Sequence, residues 1–316
     1  MAKRRLSQQQ KKRIQGAQQA VSQSGDYQQG LVISHQGGQV LAELESSDVI
    51  TCMIKSNLGS IVCGDKITIE TTPLQENRVI AILPRNNLLR RVDGFGQVRA
   101  LAANINQLFV CLAATPEPNL FLLDQYLLSA EHQGMKAIIV FNKIDLDVGA
   151  EDRLGIAEIY QPLGYQIVET SVKTGQGMDL LKKLLTDNVS VFSGVSGVGK
   201  SSIINWLLPW QTIKIASISS ANEEGRHTTR TSRLYHLPEG GSLIDTPGVR
   251  GFNPLIESGL PLSHGFREIH AQAEHCRFHN CLHLNEPKCA VIAAVSDGNI
   301  SPGRYQNYLK LLQQTE

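Results

Sequence analysis

The residues best suited to chemistry fall into three short motifs. Asn142-Lys143-Ile144-Asp145 comes first, Gly194-Val195-Ser196-Gly197-Val198-Gly199-Lys200-Ser201 second, and Asp245-Thr246-Pro247-Gly248 third. The second fits G-x-x-x-x-G-K-[ST] without a mismatch. Its glycines let backbone N–H groups turn inward around phosphate, and a helix starting there adds partial positive charge. Lys200 is placed to reach the β- and γ-phosphates and the Ser201 hydroxyl to bind Mg²⁺, with Ser202 ending the candidate phosphate-contacting stretch.

Asp145 supplies the carboxylate that can accept two N–H groups from a guanine edge. Adenine lacks that donor pair and leaves the carboxylate unpaired, a mismatch that such sites reject strongly. Ser171-Val172-Lys173 can form a second turn touching the base. Asp245 can hold Mg²⁺ through water, and the Gly248 N–H can sense the γ-phosphate. Between the phosphate loop and Asp245 lies Gly225-Arg226-His227-Thr228-Thr229-Arg230-Thr231, a switch-like loop in which Thr228 or Thr229 can close on Mg²⁺. In an ordinary GTPase the phosphate loop leads and the N-K-x-D element closes. Here the base-reading half comes first, so the domain reads as circularly permuted.

A second constellation is Cys276, Cys281, His283 and Cys289, spaced C-x₄-C-x-H-x₅-C. Three thiolates and an imidazole make a closed tetrahedral Zn²⁺ site of the structural kind. His275 and His279 lie close enough in sequence to compete as ligands. Clustered cysteines in a cytosolic chain favour metal over disulfide. Cys52, Cys63 and Cys111 are isolated and read as buried.

The elements needed to position these groups are legible around them. Apolar, β-branched runs at 136–141, 165–170, 189–192 and 242–244 read as strands, each leading into a motif. The run 202–208 reads as a helix ended by Pro209, and Gly175 and Gly177 open another through Leu180, Leu181, Leu184 and Leu185. Strand, glycine loop and helix are the context a phosphate loop requires. Upstream, short strands at 29–34, 39–44, 49–54, 66–70 and 78–83 are separated by turn signals such as Gly37-Gly38 and Asn57-Leu58-Gly59. Many short strands in so short a stretch predict a small closed barrel, best fitted by an OB-fold. Only Tyr27, at its edge, is aromatic, so RNA contact through shape or phosphate is expected rather than base stacking. Arg85, Arg90, Arg91 and Arg99 follow and are expected to extend a basic face. Helices are predicted at 263–275 and 301–313, with Ser263 and Ser301 as N-caps and Pro302 at the first helical position.

The three motifs, the Gly-Arg-His-Thr-Thr run and the cysteine cluster together resemble the bacterial small-ribosomal-subunit-dependent GTPases. That family is circularly permuted and acts in late maturation of the 30S subunit. The resemblance runs from about residue 27 to the C-terminus. It implies GTP hydrolysis stimulated by the 30S subunit, contact with 16S rRNA, and His283 as the histidine ligand. Ras-like GTPases carry a Gln directly after the D-x-x-G glycine to orient the attacking water. Val249 stands there and cannot do so, and His227 is the candidate replacement.

The expected organisation is a basic mobile arm at 1–26, an OB-fold barrel at 27–85, a permuted α/β P-loop GTPase domain at 86–253, and a helical zinc-binding domain at 254–316. With 316 residues, two or three domains fit comfortably. Net charge is only +1, yet Lys3, Arg4, Arg5, Lys11, Lys12 and Arg13 cluster without an acid among them, as nucleic-acid-binding arms do. No apolar run is long enough to span a bilayer, and no apolar core follows the basic N-terminus. A cytoplasmic monomer is expected. Two rival readings stay open at this stage: an ATPase with an RNA-binding barrel, and a nucleotide-gated binding module that scarcely hydrolyses GTP.

Overall fold

The computed structural model describes residues 27–55, 57–71, 77–92, 95–146, 148–209, 232–245 and 261–315. Five strands form the N-terminal barrel: β1 (Tyr27–Gln36), β2 (Gln39–Leu44), β3 (Val49–Ile54), β4 (Lys66–Glu70) and β5 (Asn77–Ile82). β1 pairs antiparallel with both β2 and β4, β2 with β3, and β4 with β5; a parallel β3–β5 pairing closes the ring. A register shift between Val32 and Ser34 bends the long β1, as bulges do at barrel corners. Alternate residues point inward, so Val32, Val40, Ala42, Cys52, Ile67, Ile69 and Val79 fill the interior.

A two-stranded hairpin follows, β6 (Leu88–Val92) with β7 (Val98–Ala103). Arg90, Arg91 and Arg99 lie in it. Arg85 does not join a basic face. It forks onto the fully buried Asp65 at 2.6 and 2.7 Å and donates to the Ser60 carbonyl at 2.7 Å. A buried carboxylate needs such a partner, and the Val62 N–H supplies another at 2.9 Å.

The nucleotide-binding domain is built on β8 (Gln107–Ala113), β9 (Lys136–Asn142), β10 (Gln166–Thr170), β11 (Val189–Ser193), β12 (Arg233–His236) and β13 (Ser242–Asp245). Their spatial order is β10-β9-β8-β11-β13-β12, parallel except for β12. Helices α1 (Leu120–His132), α2 (Ala150–Tyr160), α3 (Met178–Leu185) and α4 (Lys200–Leu207) flank the sheet. The central β8 is buried along its whole length, and period-two geometry splits it between two cores. Leu108, Val110 and Leu112 face the core of α1 and α2; Phe109, Cys111 and Ala113 face that of α3 and α4. Phe109 stacks on Phe192 at 4.8 Å. The barrel joins through β1, where Ser34 pairs with Arg233 of β12, and through Ile33 and Cys63 in the first core.

The C-terminal unit holds a 3₁₀ turn (Leu262–Gly265), α5 (Arg267–Ala273), α6 (Ala290–Ser296) and α7 (Pro302–Thr315). The single helix expected at 263–275 is broken at Phe266, whose extended backbone (φ −114°, ψ 97°) turns its ring fully into the core. Ser263 lies inside the 3₁₀ turn and caps nothing. Among the described residues no helix is long and apolar enough to cross a membrane.

Candidate functional site

The phosphate loop leaves β11 beside the C-terminal end of β8, at the place where strand order reverses and α/β sheets bind ligands. Two glycines are dictated by close approach. Gly194 has φ 132° and a Cβ there would lie 2.3 Å from the Cys111 carbonyl oxygen; Gly199 has φ 95° and a Cβ there would lie 2.3 Å from Asn142 Nδ2. Val198 is buried, Ser196 and Gly197 are exposed, and Val195 packs partly against the second core. Lys200 opens α4, and its Nζ donates back to the carbonyls of Gly194 at 2.7 Å and Val195 at 2.6 Å. Ser201 and Ser202 are exposed in the first turn of α4.

The base-side residues meet this loop. Asn142, at the end of β9, donates to the Val198 carbonyl at 2.9 Å and accepts from the Thr170 hydroxyl at 3.1 Å. It therefore braces the two base-side strands against the phosphate loop. Lys143 adopts φ 63° and its Nζ donates to the Thr115 carbonyl at 3.0 Å. The Ile144 N–H donates to the Thr170 carbonyl at 3.2 Å. Asp145 accepts from the Ser171 hydroxyl at 2.6 Å and lies 3.8 Å from the exposed Lys173 ammonium. The Ser171 bond is the main cause holding the Asp145 carboxyl below its usual range, with Lys173 adding to it. Ser171 also accepts the Thr174 N–H at 3.2 Å, and Val172 packs against the second core.

Asp245 ends β13, opposite Arg233 of β12. Gly248, His227, Thr228 and Thr229 lie outside the described residues, as does the 1–26 arm. Sequence reasoning overlooked Thr115 and Pro116. They follow β8: the Thr115 carbonyl holds Lys143, and Pro116 lies against the phosphate loop, its Cδ 3.4 Å from where a Cβ on Gly197 would be. The available signal was the apolar run 108–114 leading into Thr115-Pro116-Glu117-Pro118.

The second constellation closes in space as well. Ligand atoms of Cys276, Cys281, His283 and Cys289 all lie within 4.8 Å of one another. Cys276 Sγ is 3.8 Å from Cys289 Sγ and 3.6 Å from His283 Nδ1, and Cys289 Sγ is 3.4 Å from that nitrogen. A tetrahedral ion about 2.3 Å from sulfur and about 2.0 Å from nitrogen sets its ligand atoms about 3.5–3.8 Å apart. The four residues thus fit one tetrahedral metal ion, and neither His275 nor His279 belongs to the group. Burial pushes the Cys281 thiol up to about 12 and raises Cys289 too, so a cation is needed to hold them as thiolates. Burial lowers His283, keeping its imidazole neutral for ligation. Outer contacts orient the loop. Tyr305 and Tyr308 of α7 donate to the carbonyls of His283 and Leu282 at 2.6 and 3.1 Å. Glu286 takes the N–H groups of Leu282, Leu284 and Asn285.

A phosphate loop braced by an N-K-x-D element that precedes it in the chain, on this sheet order, defines a circularly permuted P-loop GTPase domain. Residues 82–254 match the family model described as RsgA GTPase. The small ribosomal subunit biogenesis GTPase RsgA of Saccharophagus degradans is 41% identical over 100% of this chain and 98% of its own length. Its counterpart in Hahella chejuensis is 38% identical over 100% and 97%. The crystal structure of YjeQ from Thermotoga maritima superposes with a TM-score of 0.73, at 31% identity over 92% of this chain and 98% of that one. YloQ, described as a circularly permuted GTPase, gives 0.69 at 28% identity over 93% and 96%. The chain belongs to the RsgA GTPase family.

Proposed function

We propose that this chain hydrolyses GTP and couples hydrolysis to late maturation of the small (30S) ribosomal subunit, which stimulates the reaction. The observation that carries this reading is the joined geometry of the cleft. Asp145, set by Ser171 as an ionised acceptor, stands beside a phosphate loop that Asn142 ties to the same strand end. The relatives named for small-subunit biogenesis match the chain along its full length.

In this reading Asp145 pairs with the two guanine N–H donors while Lys143 and the 171–173 turn flank the base. The amides from Gly194 to Ser202 cradle the phosphates. Lys200 leaves its loop carbonyls for the β- and γ-phosphates, adding charge where the transferred phosphoryl becomes most negative. Ser201 and Thr229 are the residues to hold Mg²⁺, with Asp245 acting through water and Thr228 beside Thr229. When bound, Mg²⁺ neutralises phosphate charge. The Gly248 N–H reads the γ-phosphate. The Val249 side chain offers no hydrogen bond, so His227 orients the water as a neutral imidazole.

One Zn²⁺ per chain occupies the Cys276–Cys281–His283–Cys289 cluster in a structural role, joining a unit too small to depend on apolar burial alone. The barrel and the basic 1–26 arm contact 16S rRNA, and the protein works as a cytoplasmic monomer. The test is nucleotide competition combined with sedimentation. GTP and GDP should displace a bound fluorescent guanine nucleotide where equimolar ATP does not, and the chain should sediment with 30S but not 50S subunits. Displacement by ATP as effective as by GTP would overturn the reading.

A further inference from the structure

Two arginines of the C-terminal unit reach into the nucleotide-binding domain, and both grip elements that lead to the base side of the cleft. Arg304 of α7, only 2% exposed, donates to Asp124 of α1 and forks onto Glu268 of α5. Its guanidinium lies between the rings of Tyr160 and Phe266, at 5.2 and 4.8 Å. Asp124 is buried as deeply and also accepts from the Tyr160 hydroxyl at 2.8 Å and Asn307 Nδ2 at 2.7 Å. Arg267 of α5 donates to Glu131 of α1 at 2.8 Å and to the Leu163 carbonyl at 2.9 Å, and covers the Tyr165 ring at 4.1 Å. The approach is close: a Cβ on Gly265 would fall 1.8 Å from Leu128 Cδ1 of α1.

The other end of α1 stands at the nucleotide cleft. Asn119 caps it by accepting the Leu122 N–H at 2.9 Å. Just before the cap, Thr115 holds Lys143 and Pro116 lies against the phosphate loop. Tyr160 ends α2, the helix that follows the Asp145 loop, and Tyr165 precedes β10, which leads into Ser171. The gripped elements thus run to Lys143, Asp145 and Ser171.

A dock serving stability alone gains little from a buried ion pair, because well-packed apolar groups do as well. What the pair adds is discrete geometry. A guanidinium fork satisfies two carboxylates in one arrangement only, so a displaced α1 leaves the buried Asp124 without its cationic partner. We infer that Arg304 is a positioning residue for guanine-nucleotide binding, holding α1, and through it Lys143 and the phosphate loop, in the arrangement that accepts the nucleotide. This rests on the guanine-nucleotide reading proposed above. Linkage makes the effect reciprocal: nucleotide tightens the docking of the C-terminal unit by the same factor.

The test uses the full chain. Fluorescent GDP is titrated into the unmodified protein and into Arg304→Lys, which keeps the charge but cannot span both carboxylates. Binding about tenfold weaker is expected in the variant, within the usual range for coupled sites. In parallel, saturating GDP should slow hydrogen exchange in α1 and α7 of the unmodified chain, and the slowing in α7 should vanish in Arg304→Lys. Equal GDP affinity in the two proteins overturns the inference. Exchange in α7 unaffected by GDP in the unmodified chain also overturns it, and that readout stands if the variant does not fold. An unmodified chain that binds no GDP would instead overturn the guanine reading.

Discussion

Asp145→Asn should invert base preference, and the structure says which way the new amide points. Ser171 Oγ accepts the Thr174 N–H at 3.2 Å, which leaves its own proton for residue 145, 2.6 Å away. In the variant that proton selects the amide oxygen as its acceptor. The amide nitrogen then occupies the place of Asp145 Oδ2 and presents a donor to the base. Guanine offers donors there, so both charge-assisted bonds are lost and one contact becomes donor against donor. With each such bond contributing roughly tenfold to hundredfold in affinity, GDP binding should weaken about 10²–10⁴-fold. Xanthine has a carbonyl at C2 and accepts the new donor, so XDP should bind the variant better than GDP does. The assay is competition of GDP and XDP against a fluorescent nucleotide. The double change Ser171→Ala/Asp145→Asn removes the group that orients the amide, and its preference for XDP should be smaller. A single variant that keeps the parent's preference for GDP would refute both the pairing and the orienting role of Ser171.

Three further outcomes are expected. Protein purified without chelator should contain one zinc per chain by elemental analysis; Cys276→Ala should lose it and raise exchange across α5–α7, weakening GDP binding no more than Arg304→Lys does. The Asp145 carboxyl is held low chiefly by Ser171, so its charge persists above that lowered value and is lost only as pH falls through it. The GDP phosphate titrates equally for both proteins, so the ratio of GDP affinities of parent to Ser171→Ala should stay constant at neutral pH and rise in the parent's favour only as pH falls toward the ordinary Asp range of about 3.9, where the variant carboxyl protonates first. His227→Ala should leave GTP and 30S binding intact and reduce stimulated hydrolysis by about 10²-fold or more, the range for a positioned acid or base; unchanged stimulated hydrolysis at saturating 30S would remove it from the reaction.

Much of this molecule could be read from local pattern. The five barrel strands fall within about two residues of their predicted bounds, because alternation and Gly/Asn turns act over a few residues. The phosphate loop was legible because strand, glycines and helix are contiguous. What escaped depends on partners distant in sequence. Leu88–Val92 carries two arginines and hides a strand that only its pairing with Val98–Ala103 reveals. The basic face assigned to Arg85 gave way to Asp65, whose burial no charge count discloses. The apolar spacing of Tyr305, Tyr308, Leu309 and Leu312 in α7 gives no sign of Arg304 and Asn307, which are among its most buried residues because they answer Asp124, some 180 residues earlier. The helix break at Phe266 follows from its ring packing edge-on to Tyr308 at 5.6 Å, a tertiary contact that overrides helical pattern. Thr115 and Pro116 became visible as site residues only once β8 and β9 lay side by side.

The central claim is that this chain hydrolyses GTP in response to the small ribosomal subunit. Single-turnover phosphate release from bound GTP, measured alone, with 30S and with 50S subunits, tests it most directly. Release should be slow in the isolated chain, as intrinsic rates of GTPases are, should rise sharply with 30S subunits, and should not respond to 50S. Release that 30S subunits leave unchanged, or that 50S subunits accelerate equally, would contradict the account.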